Sequence, residues 1–236
     1  MKPRALTAFI LSVDLAALAT LPALSTGSLR EKMGTFLLLA TLAALLGARP
    51  IRIPFRSTEL SATHPFIFCA LVALGSLPAG LVGLAGVLGG AVAGAIARGR
   101  PPAARRLAFN LGAVFLSALA ASGVFLAAGG GHPGQSLTSL VRPLGAAAVI
   151  YFLVNTGLVA AAISLEKNQP FARTWKVTFM WTAPSTFAGL PLAIAMLVVL
   201  SSSMLWTAAL SIPACWSLRA FYRSHAQARE AAAGAR

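Results

Sequence analysis

The stretch that decides the fold is PAGLVGLAGVLGGAVAGAIA, residues 78–97. It holds no charge and only small or aliphatic side chains. Gly86, Gly90 and Gly94 fall four apart, so a helix puts them on one face. In lipid no hydrophobic effect drives helices together, and a small-residue face lets a neighbouring backbone come close enough for dispersion to hold it. The stretch reads as the central helix of a multi-helix membrane protein. Its glycine face has two possible partners, another helix of the same chain or a second copy.

The composition agrees. Of 236 residues, 58% are hydrophobic and 10% are charged. A soluble domain carries roughly 45–50% apolar and about 25% charged residues, and so few charges could not cover a soluble surface. The apolar runs are about 15–22 residues long, which is helix length in a bilayer rather than the roughly ten alternating residues of a barrel strand. The expected class is therefore all-α and polytopic.

Outward from the glycine stretch, the chain divides into eight expected spans: residues 5–24, 34–48, 61–77, 78–97, 107–128, 144–165, 181–200 and 204–222. Gly75 and Ser76 turn the third span into the fourth. The second, at 15 residues, makes only ~22 Å of helix. Residues 50–55, PIRIPF, alternate apolar and basic and read as extended or interfacial backbone. Residues 129–143 read as a Gly/Pro/Ser loop, and 166–176 as a polar interfacial segment with Phe171 and Trp175. Ser201 to Ser203 read as a bare turn. Residues 1–222 form one transmembrane domain, and 223–236 a basic helical tail. If the first two apolar runs form a re-entrant pair, six spans remain.

The net charge of +14 fits this layout. With the N-terminus in the cytoplasm, sixteen lysines and arginines fall in inside segments, and only Arg30, Lys32 and Arg142 fall outside. That is the positive-inside bias of a helical protein of a plasma membrane, with both termini cytoplasmic. No basic patch interleaved with aromatics marks a nucleic-acid module, so nucleic acid is not an expected partner. The N-terminal run looks like a signal peptide until Asp14, which interrupts its apolar core.

The chemistry-bearing residues are few. Cys69 and Cys215 lie in apolar runs and have no metal-ligand spacing. GGGHPGQS, residues 129–136, has phosphate-loop spacing, but Gln135 stands where the lysine belongs and no strand precedes it. No nucleophile–base grouping, paired carboxylates or metal motif is visible, so the chain reads as non-enzymatic, without cofactor or metal. Asp14 is a charge within a span, and so is either a functional group or a structural partner of another polar residue. Glu59 and His64 bracket the start of span three. Asn110 lies early in span five. Tyr151 and Asn155, four apart, share a face of span six, with Thr156 beside it. These polar groups either hydrogen-bond between helices or line a ligand pocket. The tryptophans read as interface anchors.

Several phrases together resemble one family: ELSATHPFIFCALVALG (residues 59–75), RRLAFN (105–110), IYFLVNTGLVA (150–160) and FMWTAPSTFAG (179–189). They look like the MASE-type membrane sensor modules found ahead of bacterial diguanylate cyclase and HD-type phosphohydrolase domains. The resemblance covers about residues 51–222. It implies a sensory, signal-transducing role in a bacterial inner membrane and an effector partner. Neither catalytic motif is present in these residues, so the effector would be a separate cytoplasmic protein, or the sequence a fragment. The glycine helix also resembles the Gly/Ala-rich helices of small substrate-binding subunits of energy-coupling vitamin transporters. That likeness implies capture of a small molecule instead. Both readings leave the ligand unknown and make the lipid bilayer the first partner.

Overall fold

The computed structural model describes residues 3–21, 32–49, 51–52, 59–60, 63–132 and 135–202. Its helices are α1 (Pro3–Thr20), α2 (Met33–Gly47), α3 (His64–Leu74), α4 (Ser76–Arg98), α5 (Ala104–Ala127), α6 (Leu137–Lys167), α7 (Phe171–Phe179) and α8 (Ala183–Ser202), the last following a 3-10 turn at Met180–Thr182. Two short strands, β1 (Ile51–Arg52) and β2 (Glu59–Leu60), pair antiparallel with Ile51 opposite Leu60. The expected eighth span and the tail lie outside the described residues, as do Trp206 and Trp216.

Among the described residues, three helices are long and apolar enough to cross a membrane: α4 with 23 residues, α5 with 24 and α6 with 31. At 1.5 Å per residue they reach about 34, 36 and 46 Å, against a hydrocarbon core of about 30 Å. Leu88, Val92 and Ile96 make an exposed aliphatic stripe on α4, and Leu11, Leu15 and Leu18 another on α1. A water-soluble bundle does not leave such stripes bare; acyl chains cover them without cost.

α4 packs on its neighbours at van der Waals contact. A methyl group at Gly47 would overlap the Gly86 carbonyl, and one at Gly89 would overlap the Ala44 carbonyl. α2 therefore lies directly against α4 along Gly86, Gly89 and Gly90. Gly94 serves differently, since the Arg98 guanidinium folds back over it. On other faces of α4, Gly83 meets Val114 of α5 and Gly86 meets Thr63, just before α3. Gly75, at φ 96°, makes the tight break between α3 and α4; that left-handed backbone costs little only without a Cβ.

The structure departs from the sequence reading in four places. The third expected span is an 11-residue helix, about 16 Å long and too short to cross alone. α6 begins at Leu137, within the expected loop: the Ser136 hydroxyl caps it by accepting from the Ser139 N–H at 3.3 Å, and Pro143 is buried within its first turns. Part of the expected interfacial segment is helix α7, separated from α6 by Asn168 in the left-handed region at φ 52°. Ser201 and Ser202 continue α8 rather than turning, and the Ser201 hydroxyl donates back to the Val198 carbonyl.

The main core lies between α2, α3, α4, α5, α6 and α8, around Leu39, Phe66, Phe68, Val82, Phe125, Leu144 and Tyr151. A second cluster joins α1 to α5 through Leu6, Ile10, Val13 and Phe109. Arg105 donates to the Thr7 hydroxyl at 3.4 Å, so α1 and α5 start at the same end. Following the helix directions from there, Arg4, Arg98, Arg100, Arg105, Arg106, Lys167, Arg173 and Lys176 gather at one end of the bundle, and Lys32 and Arg142 at the other.

Candidate functional site

α2 and α3 do not run the length of α4. α2 stops at Gly47, beside Gly86 and Gly90, and α3 begins at His64, close to the same level. α4, α5 and α6 continue past them toward the basic end. The space left between these three helices is a cavity of about 830 Å³. Its floor holds Thr63, His64 and Tyr151. Asn110 of α5 and Asn155 of α6 line its walls between Val87, Val114 and Val159. Arg98, Arg100 and Arg106 line its outer part, with Pro101 and Pro102.

Local structure fixes these side chains. Tyr151 is 2% exposed. Its ring meets His64 edge-on at 5.5 Å and Phe68 at 5.7 Å, T-shaped in both cases. Such arrangements are preferred because one ring's positive edge meets the next ring's negative face. His64 sits in the first turn of α3 beside Pro65, and Gly189 of α8 presses against both. Asn155 is one helical turn beyond Tyr151, which places it on the same cavity wall. Thr156 turns the other way. It donates to the Phe152 carbonyl at 2.6 Å and accepts from the Trp175 Nε1 at 2.9 Å, tying α7 to α6.

Four of the six ligand-binding candidates read from the sequence, His64, Asn110, Tyr151 and Asn155, thus share one cavity. The other two do not join them in the described structure. Asp14 is half-buried on α1 against α5, where a methyl group at Gly112 would come within 2.6 Å of its Oδ1. That oxygen is buried with no hydrogen-bond partner among the described residues. Glu59 is in β2 opposite Arg52, and its side chain lies outside the described residues. Of the glycine face, Gly86 and Gly90 line the cavity and Gly94 lies under Arg98.

The sequence reading missed the arginines as site residues. It used Arg98, Arg100 and Arg106 only to mark a membrane side, and the signal that pointed further was their spacing around two prolines directly between two spans. Chemically, the cavity offers neutral hydrogen-bonding groups at its inner part and guanidinium groups at its outer part. Among the described residues, none that lines it is acidic. Among the described residues, no group of three or more His, Cys, Asp or Glu could hold a metal ion. Cys69 is buried in α3 as a free thiol. The chain matches no known family model, no curated protein and no solved structure.

Proposed function

We propose that this protein is a membrane-embedded receptor for a small molecule, a non-enzymatic sensory module whose ligand sits among α4, α5 and α6. The observation that carries the reading is the convergence of His64, Asn110, Tyr151 and Asn155 on one cavity of about 830 Å³. Ligand sites are typically 300–1,000 Å³ with a few convergent polar groups on an apolar lining.

The wider reading follows the same line. The bundle crosses a plasma membrane six to eight times, the lower count holding if α2 and α3 do not span, with the basic end and both termini cytoplasmic, so the cavity opens toward the cytoplasm. The likeness to MASE-type modules supports sensing over simple capture. Ligand occupancy would shift the balance between two helix arrangements, and the segment after residue 222 would pass that shift to a separate effector. The second reading, a capture subunit for a transporter, rests on the same cavity and differs in its partner.

Native mass spectrometry of the detergent-purified protein, after crosslinking in the membrane, tests both. A small molecule at one per chain, lost in a folded Asn155→Leu variant, supports the receptor. A crosslinked effector attached through the tail supports sensing, and a crosslinked transport ATPase supports capture. A bare wild-type chain with neither ligand nor partner contradicts both.

A further inference from the structure

The chemistry of the cavity is divided along its length, and the division specifies a ligand. On α4, from the level of Gly86, where Thr63 closes the floor, to Arg98 at the rim is twelve residues. That is about 18 Å of helix. The outer part carries Arg98, Arg100 and Arg106, and no Asp or Glu lines the cavity among the described residues. Three exposed arginines at one rim bring a local positive field that attracts an anion. Arg98 is held at this rim. Its guanidinium lies back on α4 over Gly94, where any side chain would displace it, since a methyl group there would come within 2.7 Å of Nη2. Among the described residues, the inner part carries no Asp, Glu, Lys or Arg. It offers the amides of Asn110 and Asn155 and the ring surface of Tyr151.

We propose that the cavity takes an elongate organic phosphate. Resting on the receptor reading above, this places the phosphate oxygens among Arg98, Arg100 and Arg106 and a neutral, hydrogen-bonding body inward against Asn110, Tyr151 and Asn155. Arginine presents a planar fork of donors matched to phosphate oxygens, which favours a phosphate over a spherical anion. Asparagine offers both a donor and acceptors, which suits a sugar, polyol or base rather than an acyl chain. The same phosphate could belong to a soluble molecule from the cytoplasm or to an anionic lipid headgroup, since the exposed Leu88, Val92 and Ile96 of α4 provide an apolar track ending near Arg98.

The test uses the full chain in phosphatidylcholine mixed micelles. Thermal unfolding is titrated with inorganic pyrophosphate, with uridine diphosphate, and with phosphatidylglycerol added to the micelle. The proposal expects a saturable rise in Tm with at least one of these. Apparent affinity should fall about tenfold or more in Arg98→Gln and in Arg106→Gln, the scale of losing one charge-assisted bond. It should be unchanged in Arg142→Gln at the opposite end. Asn155→Leu should lower affinity for uridine diphosphate but not for pyrophosphate. Stabilisation by the soluble anions assigns a soluble phosphate, and stabilisation by phosphatidylglycerol alone assigns a lipid headgroup. No saturable effect on the wild type, or an equal loss in Arg142→Gln, overturns the proposal. A neutral copurifying ligand lost in Asn155→Leu would overturn the phosphate assignment while leaving the receptor reading standing.

Discussion

Replacing Gly89 by alanine should loosen the bundle, although alanine is the better helix former. Gly89 faces the Ala44 carbonyl so closely that a methyl group would overlap it. The oxygen is backbone, so no side-chain rotation relieves the clash, and α2 must move away by about 1 Å to restore ordinary contact. A radial gap of 0.5–1 Å forfeits about a quarter to a half of each dispersion contact along the seam. Overpacking of this kind costs typically about 1–3 kcal/mol. The control is Gly157→Ala in α6, where nothing lies within 4 Å of the added methyl. There the change should be neutral or stabilising by up to about 1 kcal/mol through helix propensity. Thermal unfolding in detergent, followed by tryptophan fluorescence, reads the two as opposite shifts, at about 2–4 °C per kcal/mol for a chain of this size. If both variants move Tm in the same direction by the same amount, α2 does not lie against α4 as described, and the account of the cavity floor fails with it.

Three further outcomes follow from particular contacts. Gly112→Ala should change stability by no more than about 1 kcal/mol, because its methyl meets Asp14 Oδ1, the end of a side chain that can rotate aside, while helix propensity favours alanine; a larger loss, relieved by adding Asp14→Ala, would show that the carboxylate is held in place. Trp175→Phe removes the donor to Thr156 Oγ1 and should cost about 0.5–1.5 kcal/mol, with faster amide exchange in α7 but not in α6; equal exchange in both helices would contradict the tether. Tyr151→Phe keeps both T-shaped ring contacts, so stability should stay within about 0.5 kcal/mol, whereas Tyr151→Ala should lose about 3–5 kcal/mol. A large loss in Tyr151→Phe would mean that the hydroxyl, rather than the ring, holds α3 to α6.

Much of the helical layout was legible because apolar run length and charge are local signals. The glycine stretch of residues 78–97 lies inside α4, and the 15-residue second run matches α2 within a residue at each end. Periodicity also put Tyr151 and Asn155 on one face. Nothing local said that this face meets His64 and Asn110, because helices with apolar residues all round give no preferred inward direction. The cavity arises from where α2 and α3 stop, a tertiary property. The turn at Gly75 is legible, and α3 falls short of the expected 61–77 because it begins only at His64 and ends at Leu74, directly before that turn. Leu137–Pro143 was read as loop because serines and a proline dominate it. In the structure the serine caps the helix, and Pro143 lies inside it in the second turn, where it removes one backbone hydrogen bond. Arg98, Arg100 and Arg106 were legible as a topology mark but not as a site, since one loop serves both purposes.

The central claim is a cavity reached from the basic end, and cysteine accessibility in oriented vesicles tests it most directly. In a Cys69→Ala, Cys215→Ala background, Asn155→Cys and Asn110→Cys should react with a charged, membrane-impermeant thiol reagent applied to the face carrying Arg98 to Arg106, and not from the other face. Ala148→Cys, on the same helix as Asn155 and fully buried, should stay unreactive from both. Asn155→Cys as inert as Ala148→Cys, or labelled from the opposite face, would contradict the account.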